Sequence, residues 1–150
     1  MTKDEFDRLI QLRKVFDDES VILPRAGDNG IFNLSSVSSR DKFILDVTRK
    51  SRIELSKFKI QTRNGITKMP LVRVEFKASP HINPDGTRIG RNHIHVYRET
   101  DGDTGNLAWA YDIDSFFNER LADNGSEFMS VFELFCKYCN IVTDHVQGAL

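Results

Sequence analysis

Hydrophobic positions recur at two spacings along the chain, and each spacing marks a different kind of element. Phe6, Leu9, Ile10 and Phe16 fall at helical intervals, and Thr2 with Glu5 three residues later fits a capping box. This predicts a helix over residues 3–17. Leu23 to Gly30 reads as a loop closed by turn residues, Ile31 to Leu34 as a short strand, and the serines at 35, 36, 38 and 39 as a polar connection. From Lys42 the period becomes two: Phe43, Leu45 and Val47 alternate with Ile44, Asp46 and Thr48. A turn near Lys50-Ser51 sends the chain back through residues 52–62, where Ile53 and Leu55 keep one parity and Phe58 and Ile60 the other. A bulge near Ser56 would reconcile them and place Lys57, Lys59 and Gln61 on the polar side. After the Asn64-Gly65 turn, Val72, Val74 and Phe76 point inward, while Arg73, Glu75 and Lys77 point outward.

Residues 79–91 contain Pro80, Pro84, Gly86 and Gly90 and read as a loop, with a turn at Asn83-Pro84-Asp85-Gly86. The loop delivers the chain into an alternating strand. It turns Ile94 and Val96 to one face and His93, His95, Tyr97 and Glu99 to the other. Leu107, Trp109 and Tyr111 share a face of a further strand ending at Asp112. Asp114 and Ser126 are candidate caps for two helices within residues 114–142, the second carrying Phe128, Phe132, Phe135 and Tyr138 on one side. The expected fold is a single α+β domain over residues 1–150, with a β-rich core at 31–112. An antiparallel sheet of about five strands would carry the N-terminal helix and the two C-terminal helices on one face. The other face would be open and polar.

Composition narrows the function classes. The chain has 150 residues and a net charge of −1, so nothing global draws it to nucleic acid or to a membrane, and a polyanion would need a local patch. No apolar run is long enough to span a bilayer, and residues 1–5 do not resemble a signal peptide. The two cysteines, Cys136 and Cys139, make no disulfide framework and read as buried thiols on a helix. The expected location is the cytoplasm.

The candidate chemistry lies on the polar face. His93 and His95 titrate near neutrality and suit a general base and a general acid, and Glu75 could orient an imidazole or act as the base. Arg73 would stabilise charge developing on a phosphoryl group, and Tyr97 could donate to a phosphate oxygen or stack on a base. Lys57, Lys59, His81 and Glu99 would bind substrate around that centre. This set points to a metal-independent, toxin-like endoribonuclease with no cofactor, whose partner is RNA. The alternatives are a non-catalytic, phage-borne inhibitor of host defence and a metal-dependent enzyme. In the first, the partner is a host defence protein or a nucleic-acid-bound complex. In the second, His93 and His95, with His81 as a third ligand, hold a transition metal. His93-x-His95-x3-Glu99 also matches half of the cupin metal motif, but the later strand histidine which that motif needs is missing, since His145 follows two expected helices.

Pro80-His81-Ile82-Asn83-Pro84-Asp85-Gly86 followed by His93-Ile94-His95-Val96-Tyr97-Arg98-Glu99 resembles an uncharacterised family of roughly 150-residue prokaryotic and phage-borne proteins, a domain of unknown function. Leu71 to Glu75, Trp109-Ala110-Tyr111 and Cys139-Asn140-Ile141 extend the resemblance over about residues 40–145. It implies a mobile-element setting, in which an antitoxin or a host defence component would be the protein partner, and no particular mechanism.

Overall fold

Thr2 accepts a hydrogen bond from the Glu5 amide at 3.1 Å and so opens α1 (Lys3–Gln11), which buries Phe6, Leu9 and Ile10. The computed structural model describes residues 1–51, 54, 56–121 and 127–148. The helix ends well before residue 17, because the Leu12 amide bonds back to Arg8 and the Lys14 amide donates to the Asn140 carbonyl. The chain is therefore extended at β1 (Lys14–Phe16), where a longer helix was expected. The elements β2 (Val21–Ile22), β3 (Asn29–Ser36), β4 (Lys42–Thr48), β5 (Phe58–Asn64) and β6 (Pro70–Phe76) follow. A small hairpin, β7 (His81–Ile82) and β8 (Arg88–Ile89), precedes β9 (His93–Val96) and β10 (Ala110–Asp112). The chain closes with α2 (Ile113–Phe117), α3 (Glu127–Tyr138) and β11 (Val146–Gln147).

The architecture is α+β. Seven strands form one antiparallel sheet in the order β1-β3-β4-β5-β6-β9-β10, two more than the hydrophobic pattern suggested. The additional pairings come from β1 and from the longer β3, whose residues 29–36 mix polar and apolar side chains and hide the period of two. β2 pairs in parallel with β11, within stretches that read as loop and tail. Asn64-Gly65 makes the turn expected of it. The Asn64 carboxamide accepts from the amides of residues 66 and 67, and a Cβ at Gly65 would lie 2.9 Å from the Lys42 backbone.

The expected bulge near Ser56 is not what sets the register. β5 starts at Phe58 already in phase, and its irregularity falls between Thr62 and Arg63. Ile53 and Leu55 lie outside the described residues, as does the proposed cap Ser126. Asp112, not Asp114, caps α2 by accepting from the Ser115 amide at 3.0 Å.

The sheet separates its two faces by parity. Leu45, Val47, Ile60, Val72, Val74, Phe76 and Ile94 join α1 and α3 in one hydrophobic cluster. Phe58 stacks on Phe76 at 4.9 Å and meets Phe128 of α3 edge-on at 5.2 Å. Each such buried aromatic contributes about 1.5–3 kcal/mol, against about 0–1 for an exposed ion pair. The core therefore holds β5, β6 and β9 in place from one side and leaves the side chains of the opposite face available for other work.

Candidate functional site

Two rows of side chains cross the polar face. Cross-strand register aligns Thr48, Lys59, Glu75 and His93 in one row, and Asp46, Gln61, Arg73 and His95 in the next. The second row is neutralised at its far end, where Arg63 makes a bidentate contact to Asp46 at 2.6 and 2.9 Å. At the near end the rows converge on Glu75. One carboxylate oxygen, Oε2, lies 2.9 Å from His93 Nε2 and 3.2 Å from His95 Nε2. The other, Oε1, has Lys59 Nζ at 3.6 Å and Arg73 Nε at 3.7 Å, both beyond hydrogen-bond distance.

The opposite nitrogens of the two rings are committed to the main chain. His93 Nδ1 lies 2.7 Å from the Gly90 carbonyl, and His95 Nδ1 lies 2.8 Å from the Leu107 carbonyl. A carbonyl oxygen only accepts, so each Nδ1 carries its hydrogen and donates it. In the neutral ring the Nε2 lone pair is then left facing a carboxylate oxygen. Two acceptors thus converge on a third, and such a trio is stable only around something positive.

The expectation of an open polar face needs correction at this end. His93 is 1 % exposed and His95 2 %, whereas Glu75 keeps 20 % of its side chain exposed. The proline- and glycine-rich segment that read as plain loop folds over the rings as the β7–β8 hairpin. Its turn is tied by the Gly86 amide to the Asn83 carbonyl at 2.8 Å, with Gly86 at φ +89°. Buried Asn83 clamps the hairpin to β10, donating to the Ala110 carbonyl at 3.0 Å and accepting from the Ala110 amide at 2.8 Å. His81 donates from Nε2 to the Ala108 carbonyl at 2.7 Å, and its ring meets His95 edge-on at 4.7 Å.

Of the residues singled out from sequence, Arg73, Glu75, His93 and His95 are brought together, with Lys59 beside them. His81 packs against the cluster, but the set of ligating atoms within 4.8 Å of one another is Glu75, His93 and His95. Lys57 stands on the rim of a neighbouring cleft. Tyr97 and Glu99 are elsewhere. β9 ends at Val96 and the chain swings out of its alternation, so Tyr97 stacks on Phe6 of α1 at 5.7 Å and donates to the Met1 carbonyl at 2.8 Å. Glu99 accepts from the Lys3 backbone amide. Sequence reasoning missed Asn83 and the carbonyls of Gly90 and Leu107. The Asn-Pro-Asp-Gly turn was the available signal for the first, and main-chain acceptors leave none.

Electrostatics follow the contacts. Hydrogen bonds from His93 and then His95, with Arg73 nearby, hold the Glu75 carboxyl far below its usual range, against the cost of burial. Burial pushes the His95 imidazolium toward losing its proton, opposed by Glu75. The carboxylate borders a cleft of about 600 Å³ lined by Thr48, Lys50, Ser51, Lys57, Lys59 and Ser79. Glu75 is therefore the side from which solvent or a ligand reaches the centre.

No curated protein and no solved structure matches the chain. Residues 1–141 match the profile of DUF6978, a family of unknown function. Among the described residues no helix is long and apolar enough to cross a membrane.

Proposed function

The chain belongs to this family of unknown function, and from its side chains we propose that Glu75, His93 and His95 hold a divalent transition metal that serves hydrolysis of a phosphodiester, with RNA as the substrate. The observation that carries the reading is the pair of Nε2 atoms turned on one carboxylate oxygen while both Nδ1 atoms are spent on carbonyls. Metal-ligating histidines are oriented in this way, the outer N–H fixed by a main-chain oxygen. Ligand atoms about 2.1 Å from an ion stand roughly 3.0–3.4 Å from each other at octahedral to tetrahedral angles. The contacts of 2.9 and 3.2 Å fit that spacing. Protons in place of the metal would set two imidazolium charges side by side, ring centres 4.9 Å apart, with Arg73 and Lys59 close by.

Two imidazoles and one carboxylate suit zinc or iron(II) and leave coordination positions open on the Glu75 side. When bound, the metal would polarise a phosphoryl oxygen and acidify a water. The side chains supply the rest. Lys59 and Arg73 carry positive charge to the cleft side of the carboxylate, and the buried Arg73 Nε lacks a hydrogen-bond partner of its own. The β7–β8 hairpin and the carbonyls of Gly90 and Leu107 hold both rings in one orientation. Two free, buried cysteines accord with a cytoplasmic protein.

The metal-free acid–base reading is less well supported. A general base needs a nitrogen within reach of substrate, and both Nε2 atoms face Glu75 in a space almost closed to solvent. The two readings separate in one assay. Purified protein is analysed for metal and incubated with single-stranded RNA, with and without EDTA and with zinc, manganese or iron(II) restored. The metal reading expects about one equivalent bound and cleavage lost in chelator. Cleavage that persists in EDTA and disappears in a His93→Ala, His95→Ala double variant returns the acid–base reading. Absence of both metal and cleavage overturns the proposal.

A further inference from the structure

The cleft beside Glu75 is more strongly cationic than the centre it leads to. Lys50, Lys57 and Lys59 all line it, together with the side chains of Thr48 and Ser51. The nearest carboxylates are already occupied: Glu75 by the histidines, and Glu54 by Arg91 at 3.1 Å. Among the described residues Lys50 and Lys57 enter no ion pair and no hydrogen bond, and both are exposed. Lys59 belongs to the same row as Glu75, so one cation sits at the centre and two stand farther along the cleft. A single phosphate at Glu75 would use Lys59 and Arg73 and leave Lys50 and Lys57 without a role. A ligand with a second anionic group would use them all.

We propose that Lys50 and Lys57 hold a phosphate adjacent to the one presented at Glu75, so that the substrate is a strand with successive phosphodiesters and not a mononucleotide. This rests on the metal-centre reading for the position of the first phosphate, and it goes beyond that reading in fixing the substrate class. Lysine suits the task, because a flexible point charge tracks a backbone phosphate without reading a base. Such contacts make binding dependent on salt, and each lysine lost flattens the slope of log affinity against log salt by about 0.7 on a single strand.

The test uses zinc-loaded protein and a catalytically inert 2′-O-methyl octanucleotide, with uridine monophosphate, uridine diphosphate and inorganic phosphate as competing probes. The Lys50→Gln, Lys57→Gln variant changes only exposed side chains. The expected result is tenfold or more weaker octanucleotide binding, a salt slope shallower by about 1.4, and unchanged affinity for inorganic phosphate and zinc. Equal octanucleotide affinity in variant and parent overturns the inference while leaving the metal centre standing. Uridine diphosphate binding as tightly as the octanucleotide would assign the paired phosphates to a free nucleotide and overturn the strand. If the parent binds no zinc but its octanucleotide affinity still falls in the variant, the metal reading fails and the lysine site survives.

Discussion

Two buried polar groups sit toward opposite edges of the same sheet, and they are satisfied in opposite ways. Lys14 on β1 is 0 % exposed, and its ammonium donates to three carbonyls: Ile10 at 3.1 Å, Leu12 at 2.8 Å and Cys139 at 2.6 Å. Three donors meet three acceptors, which are the frayed carbonyls where α1 and α3 end, and the charge also lies 4.7 Å from the Phe43 ring centre. Nothing is left over for a ligand. Glu75, His93 and His95 instead set acceptor against acceptor, with their donors turned away toward the main chain. A closed donor–acceptor balance marks a structural charge. An excess of lone pairs aimed at one point marks a place where a cation belongs.

The sharpest way to break this contrast is to add the cation. Zinc at about a thousand times its dissociation constant should stabilise the parent protein by about 4 kcal/mol, seen as a rise in thermal midpoint. The His93→Ala, His95→Ala variant should show no such rise, and Lys14→Met should keep it in full. A zinc-dependent shift that survives loss of both histidines would place the metal elsewhere. Next in size is the structural charge itself. Lys14→Met removes three hydrogen bonds at two helix ends and should cost about 3 kcal/mol in denaturant unfolding, with zinc affinity unchanged.

Lys14 also predicts a pH dependence that the centre does not share. Burial lowers its pKa from 10.5 to about 8. Between those values the unfolded chain holds a proton that the folded chain has released, so the Lys14 contribution to stability rises with pH across that window. The Cys139 thiol beside it is pushed up to about 12 by burial and stays neutral there. The stability difference between parent and Lys14→Met should therefore grow by about 2 kcal/mol from pH 8 to pH 9.5. A flat difference would mean that the three carbonyls hold the ammonium charged throughout.

How much of this was legible beforehand depends on how local each signal was. The alternation at residues 71–77 and 93–96 placed Arg73 and Glu75 beside His93 and His95 on one face, because period two leaves little choice once strands pair antiparallel. The burial of the rings was not legible. It comes from the β7–β8 hairpin folding over them, and a Pro- and Gly-rich stretch reveals where the chain turns but not what the turn covers. Tyr97 was misplaced because alternation was carried one residue past the end of β9, where the chain turns toward α1. Lys14 was hidden within an overlong helix, since its partners are carbonyls 125 residues away and only two or four away in sequence.

The smallest effect tests the cover itself. Asn83 joins the hairpin to β10 through both atoms of its carboxamide and is buried. Asn83→Ala leaves the Ala110 amide and carbonyl without these partners and should cost about 1–2 kcal/mol. Because the hairpin also carries Gly90, whose carbonyl orients His93, the loss should reach the centre. Zinc affinity should fall about tenfold, within the range seen when an outer hydrogen bond to a ligating histidine is removed. Lys14→Met loses more stability and moves zinc affinity not at all. A variant at Asn83 that loses stability yet binds zinc as tightly as the parent would show that β6 and β9 alone set the rings, and that the hairpin only shields them.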